Sequence, residues 1–555
     1  MGWWAFYFLT KLAAFASGSI GFHWRLNLAL ALFVLLPLQG ARRWVQQIIA
    51  VAAGIALLYH DAHLPPVSRV VGQLGVLADF DLTYMLELAG RFIGPLDILL
   101  IAALALGYWL LSAKLRMSSF ALLGILLVPT IPMATSLLQP TTAPTIAQAG
   151  SSAGVAAGTV NQSPEAELEA FYQAESQRRA FLNPATRQAQ PFDLVFLHIC
   201  SMAWDDLDLY GMADHPLLQR RDIGFEAFNT AATYSGPASL RLMRAACGQP
   251  PHDALYSPAE DGCLVFEQLE ANGFRPQLMT NWGDSAAAHD FIPNLRKLGG
   301  LDAPQRSFGD APVTMRTYDG EALYSDDALL DAWRADRRQN PDQPVALYYD
   351  TTSLHDGNRL VEQPRASSIA TYPDRMRRLL DDLNAFIDAL ATADRRTVVV
   401  MVPEHGGAMR GDALQIRGLR ELPTPATTLA PVGIYLLGGD APPREPVRVA
   451  SPTSYFALGT LLERFLAEDP FADDAPPLSR YTENLPATRP VSVNEGVVIM
   501  RAGDKYWRRD VNGNWSVLET GLGRGGDLLN QSAVPLSPTA TITSPDTDQS
   551  VAAAP

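Results

Sequence analysis

The chain has 555 residues, too many for one ordinary domain, so at least two folding units are expected. It is 48% hydrophobic and only 18% charged, with 43 basic residues against 58 acidic ones and a formal net charge of -15. A protein that neutralises the phosphates of a nucleic acid needs a basic face, so this balance argues against such a partner and requires any phosphate to be met locally.

The hydrophobic excess is concentrated in residues 1 to 138, where "RLNLALALFVLLPL", "VQQIIAVAAGIALLY", "PLDILLIAALALGYWLL" and "SFALLGILLVPTIPMATSLL" approach the length needed to cross a bilayer. A fifth stretch, "GWWAFYFLTKLAAFASGSIGF", carries Lys11 in its middle, which makes it either a poor span or a helix lying in the interface. The block therefore predicts a transmembrane domain of four or five helices over residues 1 to 138; four apolar segments together make the buried helices of a soluble core the weaker reading. A cleaved signal peptide is disfavoured, because the start lacks a basic segment and further apolar segments follow. Arg42 and Arg43 lie between the first two strong spans, and Lys114 and Arg116 between the third and fourth, which predicts that these loops are cytoplasmic. The chain then emerges outside a bacterial inner membrane near residue 139, and everything after it is expected in the periplasm of a Gram-negative host.

Residues 139 to 163 are small and polar and read as a tether, and 164 to 182 read as an amphipathic helix with Leu168, Phe171, Tyr172 and Phe181 among charges. Together they make residues 139 to 190 a linker and helix ahead of a globular domain spanning 191 to 535. There, "FDLVFLHIC", "RPQLMTN", "VALYYDTT", "RTVVVMVPEH" and "PVGIYLLGG" alternate with helical patterns, which predicts an α/β sandwich with a largely parallel central sheet. The segment "VSVNEGVVIMRAGDKYWRRDVNGNWSVLE" reads as a small β appendage, and residues 536 to 555, rich in Ser, Thr, Pro and Ala, as a disordered tail.

In parallel sheets, ligands collect at the carboxyl ends of the strands. That directs attention to Cys200, to His355 in "TTSLHDGNR", and to the adjacent Glu404 and His405. Three cysteines in an oxidising compartment leave one unpaired. Cys247 and Cys263 are near enough in sequence to close a small loop, and the sequence leaves open whether they do. Cys200 is then a thiol at a strand end; alone, a buried inert cysteine is its commoner role. Glu404 and His405 change that balance, because Zn²⁺ accepts sulfur, nitrogen and carboxylate ligands. Neighbours on a strand point to opposite faces, so both reach one ion only if the chain leaves the strand there, which Gly406 and Gly407 allow. A capping turn is an equally good account of Glu404 and His405 taken alone. Ser235, followed by Gly236 and Pro237, reads either as a helix N-cap or as a nucleophile at a helix start, where free amides favour a phosphoryl group. Arg420 suits an anionic oxygen, and His289 beside Asp290 is a weaker option.

Taken together, Cys200, Ser235 and "PEHGG" resemble the alkaline phosphatase superfamily. More narrowly, "CSMAWDD", "YSGPASLRLMRAACGQ" and "PEHGG...GDALQIRGLRELP" resemble the BcsG family of cellulose phosphoethanolamine transferases, over most of residues 1 to about 530. The resemblance implies an alkaline-phosphatase-like periplasmic catalytic domain with one zinc on Cys200, Glu404 and His405, and places Tyr234, His355 and Arg420 in the cleft. Against the wider superfamily, Cys200 stands for the usual acid and Glu404 for the usual Asp. The implied reaction is ping-pong. A zinc-held Ser235 alkoxide takes phosphoethanolamine from phosphatidylethanolamine, and a glucosyl 6-hydroxyl of nascent cellulose then accepts it, with His355 handling the proton. Subunits of the cellulose synthase secretion complex are the implied partners. A zinc phosphatase or phosphodiesterase is the runner-up reading and a non-catalytic secretion component the third. A sulfatase is disfavoured, because Ser239 occupies the position where that family's motif carries Arg.

Overall fold

The computed structural model describes residues 2–16, 20–62, 80–92, 95–130, 163–182, 192–283, 290–439 and 444–531. Residues 139–162 of the expected tether, the tail over 536–555 and His289 lie outside these residues. The chain forms two compact units, one N-terminal and helical, the other built on a large sheet.

The helical unit contains α1 (Trp3–Ala16), α2 (Trp24–Leu35), α3 (Ala41–Asp61), α4 (Leu82–Phe92), α5 (Pro95–Ser112) and α6 (Met117–Leu127). Ala5 and Phe8 of α1 share a core with Leu30 and Ala31 of α2 and with Ala121 and Ile125 of α6. Lys11 is buried there, with its Nζ 2.7 Å from Asp61 Oδ2, 3.0 Å from Asn27 Oδ1 and 3.1 Å from Leu57 O. The lysine that made this stretch read as a poor span is thus neutralised within the unit, as a buried charge requires. Outside, Ile48, Ile55, Leu99, Trp109 and Leu123 are exposed. Among the described residues no single helix is long and apolar enough to cross a membrane. Ile98–Ser112 and Met117–Leu127 pass that test together, but bend by 116° at their break.

The second unit holds a seven-stranded sheet of β1 (Asp193–Ile199), β2 (Ile223–Phe225), β3 (Arg275–Thr280), β4 (Val345–Thr351), β5 (Thr397–Pro403), β6 (Gly433–Leu437) and β7 (Val447–Val449). Their spatial order is β7-β2-β6-β5-β1-β4-β3. Strands β5, β1, β4 and β3 are mutually parallel, as the alternation of strand and helix patterns predicts. "PVGIYLLGG" departs from the expectation: β6 runs antiparallel to both β5 and β2, so the sheet is mixed. Gly433–Leu437 is buried throughout, and an antiparallel strand buried on both faces carries the same continuous apolar run as a parallel one, so its composition does not fix its direction.

The central strands are buried on both faces, which is why they read as continuous apolar runs rather than alternating ones. One face packs α9 (Ser235–Met243), α10 (Val265–Ala271) and α13 (Tyr455–Ala467), and the other packs α8 (Trp204–Leu209), α11 (Asp326–Gln339) and α12 (Ser368–Ala391), giving three layers. Helix α7 (Pro164–Glu175) starts at Ser163, whose side chain accepts from Ala166 N, and is shorter than the helix read over 164 to 182. Its Leu168 and Phe171 pack on Val491, Val493 and Met500 of a four-stranded antiparallel sheet, β8 (Val491–Asn494), β9 (Val497–Ala502), β10 (Lys505–Arg509) and β11 (Trp515–Leu518).

Candidate active site

Three strands end at one level. Ile199 of β1 lies beside Thr351 of β4 and Pro403 of β5. The ladder continues as Cys200 N donates to Thr351 O at 3.0 Å and Glu404 N to Ile199 O at 2.9 Å. Side chains alternate across a strand. Leu194 and Phe196 of β1, Ala346 and Tyr348 of β4, and Val398, Val400 and Val402 of β5 all join the core on the α9 side. The same parity directs His198, Cys200, Asp350 and Glu404 toward α9.

The chain then turns sharply. Ser201, after Cys200, has φ 63° and Ala408 has φ 54°, left-handed values that cost a non-glycine residue on the order of 1–2 kcal/mol. Gly406 and Gly407 are needed for space, not for a left-handed φ. A Cβ on Gly406 would meet Ala203 Cβ at 2.7 Å and Asp206 Oδ2 at 2.8 Å, and one on Gly407 would meet Met409 Cε at 2.9 Å. Asp206 explains the closeness: its Oδ2 accepts from Gly407 N at 2.7 Å and Ala203 N at 3.1 Å, and its Oδ1 from Met409 N at 3.0 Å. Burial pushes its pKa up to about 6, opposed by those backbone donors. One carboxylate thereby clamps the two turns that carry Cys200 and the Glu404-His405 pair.

Ser235 is not the cap of α9. Tyr234 holds that position in extended conformation (φ -133°, ψ 149°), with no side-chain cap, and Ser235 opens the helix. Its hydroxyl is therefore not spent on capping, which corrects the cap alternative. Ser235 Oγ lies 3.6 Å from Cys200 Sγ.

Cys200 Sγ, a Glu404 carboxylate oxygen and a His405 ring nitrogen all lie within 4.8 Å of one another, and all three residues are fully buried. His405 Nδ1 is 2.9 Å from Gly406 O, a contact that suits the tautomer with the proton on Nδ1. The lone pair of Nε2 then faces inward, buried and without a hydrogen-bond partner among the described residues. Burial, reinforced by Arg420, pushes the His405 pKa down to about 3, so the imidazole is neutral. Burial, reinforced by Glu404, drives the Cys200 thiol far above its ordinary range, so it ionises only if a cation is beside it. A thiol, a carboxylate and an orphaned imidazole nitrogen form a donor set that fits zinc.

Behind Glu404 lies a network the sequence reading missed. His198 Nδ1 is 3.0 Å from Glu404 Oε1, 2.8 Å from Tyr348 Oη and 3.3 Å from Asp350 Oδ2. Trp282 Nε1 donates to Asp350 Oδ1 at 2.9 Å, and Tyr348 Oη to Ser239 Oγ at 3.1 Å, with Ser239 Oγ in turn donating to Ser235 O at 2.8 Å. Burial opposes charge on both partners, yet Glu404 and Asp350 hold His198 up to about 9, and His198 holds Glu404 well below the usual carboxylate range. His198, Asp350 and Glu404 also lie within 4.8 Å of one another, but His198 stands between the two carboxylates, at ion-pair distance from Glu404 and hydrogen-bonded to Asp350, and so supports Glu404. The signal was present in "FDLVFLHIC", where His198 stands two residues before Cys200 and so on the same face.

The remaining candidates converge on the same strand ends. Arg420 Nη1 donates to Ser201 Oγ at 2.7 Å and lies 3.3 Å from His405 Nδ1. Its guanidinium is 5.6 Å from the Tyr234 ring centroid. His355 Nδ1 is 2.7 Å from Asp356 O, and burial followed by the charge of Arg420 pushes its pKa down to about 4. Cys247 and Cys263 form a disulfide just beyond α9, away from this donor set. Asp290 precedes the helix Phe291–Lys297 without a side-chain capping bond.

These features define a three-layer α/β/α protein whose strand ends gather a metal-type donor set beside a helix-start serine. The description "Cellulose biosynthesis protein BcsG C-terminal domain" matches residues 148–515, and "Cellulose biosynthesis protein BcsG N-terminal domain" matches residues 4–130. The chain is 35% identical to cellulose biosynthesis protein BcsG of Escherichia coli (strain K12), over 92% of this chain and 95% of that protein, and 34% identical to its counterpart in Salmonella typhimurium over the same shares. The chain belongs to the BcsG family. Among solved structures, a protein in the alkaline phosphatase superfamily from Vibrio parahaemolyticus overlaps with TM-score 0.42 at 13% identity, covering 67% of this chain and 97% of that one. The integral membrane lipooligosaccharide phosphoethanolamine transferase A (EptA) of Neisseria meningitidis overlaps with TM-score 0.39 at 13% identity, covering 80% and 95%.

Proposed function

We propose that the protein is a membrane-anchored, zinc-dependent transferase that moves phosphoethanolamine from phosphatidylethanolamine to the glucosyl 6-hydroxyl of nascent cellulose, alongside subunits of the cellulose synthase secretion complex. The observation that carries this reading is Ser235 Oγ, 3.6 Å from Cys200 Sγ, at the open start of a helix. The family description supports cellulose as the acceptor. The exposed apolar side chains of the helical unit support anchorage in the inner membrane, and the Cys247–Cys263 disulfide supports an oxidising periplasm.

Cys200, Glu404 and His405 would hold the zinc. When bound, the ion would supply positive charge that favours the thiolate and the serine alkoxide and stabilises charge developing on the phosphoryl oxygens. Ser235 gives up its proton to His355 and its Oγ attacks phosphorus; the Oγ–P bond forms, the bond from phosphorus to the glycerol oxygen breaks, and that oxygen takes the proton from His355 and leaves as the hydroxyl of diacylglycerol. In the second half, the glucosyl oxygen attacks phosphorus and Ser235 leaves and is reprotonated. His355, held neutral, is suited to accept the proton of the incoming hydroxyl. Arg420, a buried cation beside His405, is suited to pair a phosphoryl oxygen of the transferred group. The test is ³¹P NMR of cellulose from cells carrying the wild-type protein or the Ser235→Ala variant. A phosphodiester signal should appear with the wild type alone; its presence with both would sink the reading.

A further inference from the structure

Phosphoethanolamine is a zwitterion, and the site described so far accounts only for its anionic half. Arg420 is buried, and the next residue, Glu421, is half-buried beside it. Glu421 Oε1 accepts from Tyr234 Oη at 2.8 Å, and its backbone carbonyl accepts from Asn494 Nδ2 at 2.8 Å. These bonds fix both ends of the residue. Tyr234 immediately precedes Ser235, so the carboxylate is tied to the residue that positions the nucleophile. The Tyr234 ring adds a face that attracts cations, already shown by the Arg420 guanidinium at 5.6 Å from its centroid. A buried cation and a half-buried carboxylate at consecutive positions, the second tied to the residue before the nucleophile, match a ligand whose phosphate and ammonium are separated by only two carbons. A simple phosphate or sulfate ester needs the first charge and not the second.

We infer that Glu421, held by Tyr234, forms a primary-ammonium subsite that selects aminoethyl phosphodiesters over esters lacking the amine. This inference rests on the transferase reading and names the part of the substrate that the zinc site leaves unrecognised. The test uses the full zinc-loaded chain in detergent and two chromogenic donors, the 2-aminoethyl and the n-propyl diesters of p-nitrophenyl phosphate. They share shape and phosphorus chemistry and differ in the ammonium. The readout is the ratio of their kcat/KM values, which cancels any loss common to both. Wild type should favour the aminoethyl ester, and Glu421→Gln should lower that ratio roughly tenfold or more, the size of one charge-assisted hydrogen bond. Tyr234→Phe, which releases the carboxylate but keeps the ring, should lower the ratio by a smaller factor. An unchanged ratio in Glu421→Gln overturns the inference, as does a wild-type enzyme that cleaves both esters equally well, and in each case the transferase reading still stands. Turnover of neither ester by wild type would instead remove the transferase reading and the subsite with it.

Discussion

His198 Nδ1 lies 3.0 Å from Glu404 Oε1, inside a core where both side chains are fully buried. His198 is in turn hydrogen-bonded to Asp350 and Tyr348, so the carboxylate that would face a metal is paired from behind with a histidine whose hydrogen bonds reach Ser239 and the start of α9. Partners of this kind set the orientation of a ligand, and their loss typically costs about 10- to 100-fold in metal affinity. His198→Gln and Asp350→Asn are both expected to lose zinc to a chelator at concentrations the wild type resists. Competition with a chromophoric chelator measures this directly; unchanged zinc retention in both variants would contradict it.

Gly406→Ala should be among the most damaging small substitutions in the protein. The added methyl meets Ala203 Cβ at 2.7 Å and Asp206 Oδ2 at 2.8 Å, and the Thr427 backbone stands at 3.2 Å. Neither the clamp nor the backbone can yield without moving a ligand-bearing turn, so a loss of about 1–3 kcal/mol is expected. Chemical denaturation of the variant, together with its zinc content, checks this. A stable variant with full zinc would show that the turn is softer than its contacts indicate.

The Cys247–Cys263 disulfide closes a loop across 16 positions, for which chain entropy gives about 3 kcal/mol of stabilisation. Replacing both cysteines by serine should therefore lower the thermal midpoint while leaving zinc bound, since neither residue belongs to the donor set. A variant that loses zinc without losing stability would reverse that assignment.

His355 gives a pH signature. Its pKa in the fold is pushed down to about 4, against an ordinary value of about 6.5. Between those values the unfolded chain binds a proton that the folded chain does not, so this group costs stability as pH falls through the window and costs nothing above it. A bound cation would lower the value further. NMR of histidine-labelled protein should show the His355 ring neutral from pH 8 down to about 5. A midpoint near the ordinary value would show that burial and Arg420 do not depress it.

The strand ends were legible in the sequence because parallel strands buried on both faces must be apolar, and polar residues at their termini then stand out, as at Cys200, Glu404 and His405. The reversed strand Gly433–Leu437 was not, because an antiparallel strand buried on both faces has the same composition as a parallel one. Asp206 and Glu421 escaped for another reason. A carboxylate that clamps a turn and one that sits beside a cleft are both, in sequence, ordinary acidic residues in polar stretches. His198 was readable from strand parity alone. The role of Ser235 was not, because the sequence permits it as either cap or first helical residue, and only the backbone at Tyr234 and Ser235 decides between them.

In the proposed reaction Ser235 carries the phosphoethanolamine group between donor and acceptor. Mass spectrometry of the zinc-loaded protein after incubation with phosphatidylethanolamine, without acceptor, tests it most directly. A phosphoethanolamine adduct on Ser235 is expected, absent in Ser235→Ala and strongly reduced in Cys200→Ala. An unmodified Ser235 at full zinc occupancy, or equal labelling after Cys200→Ala, would contradict it.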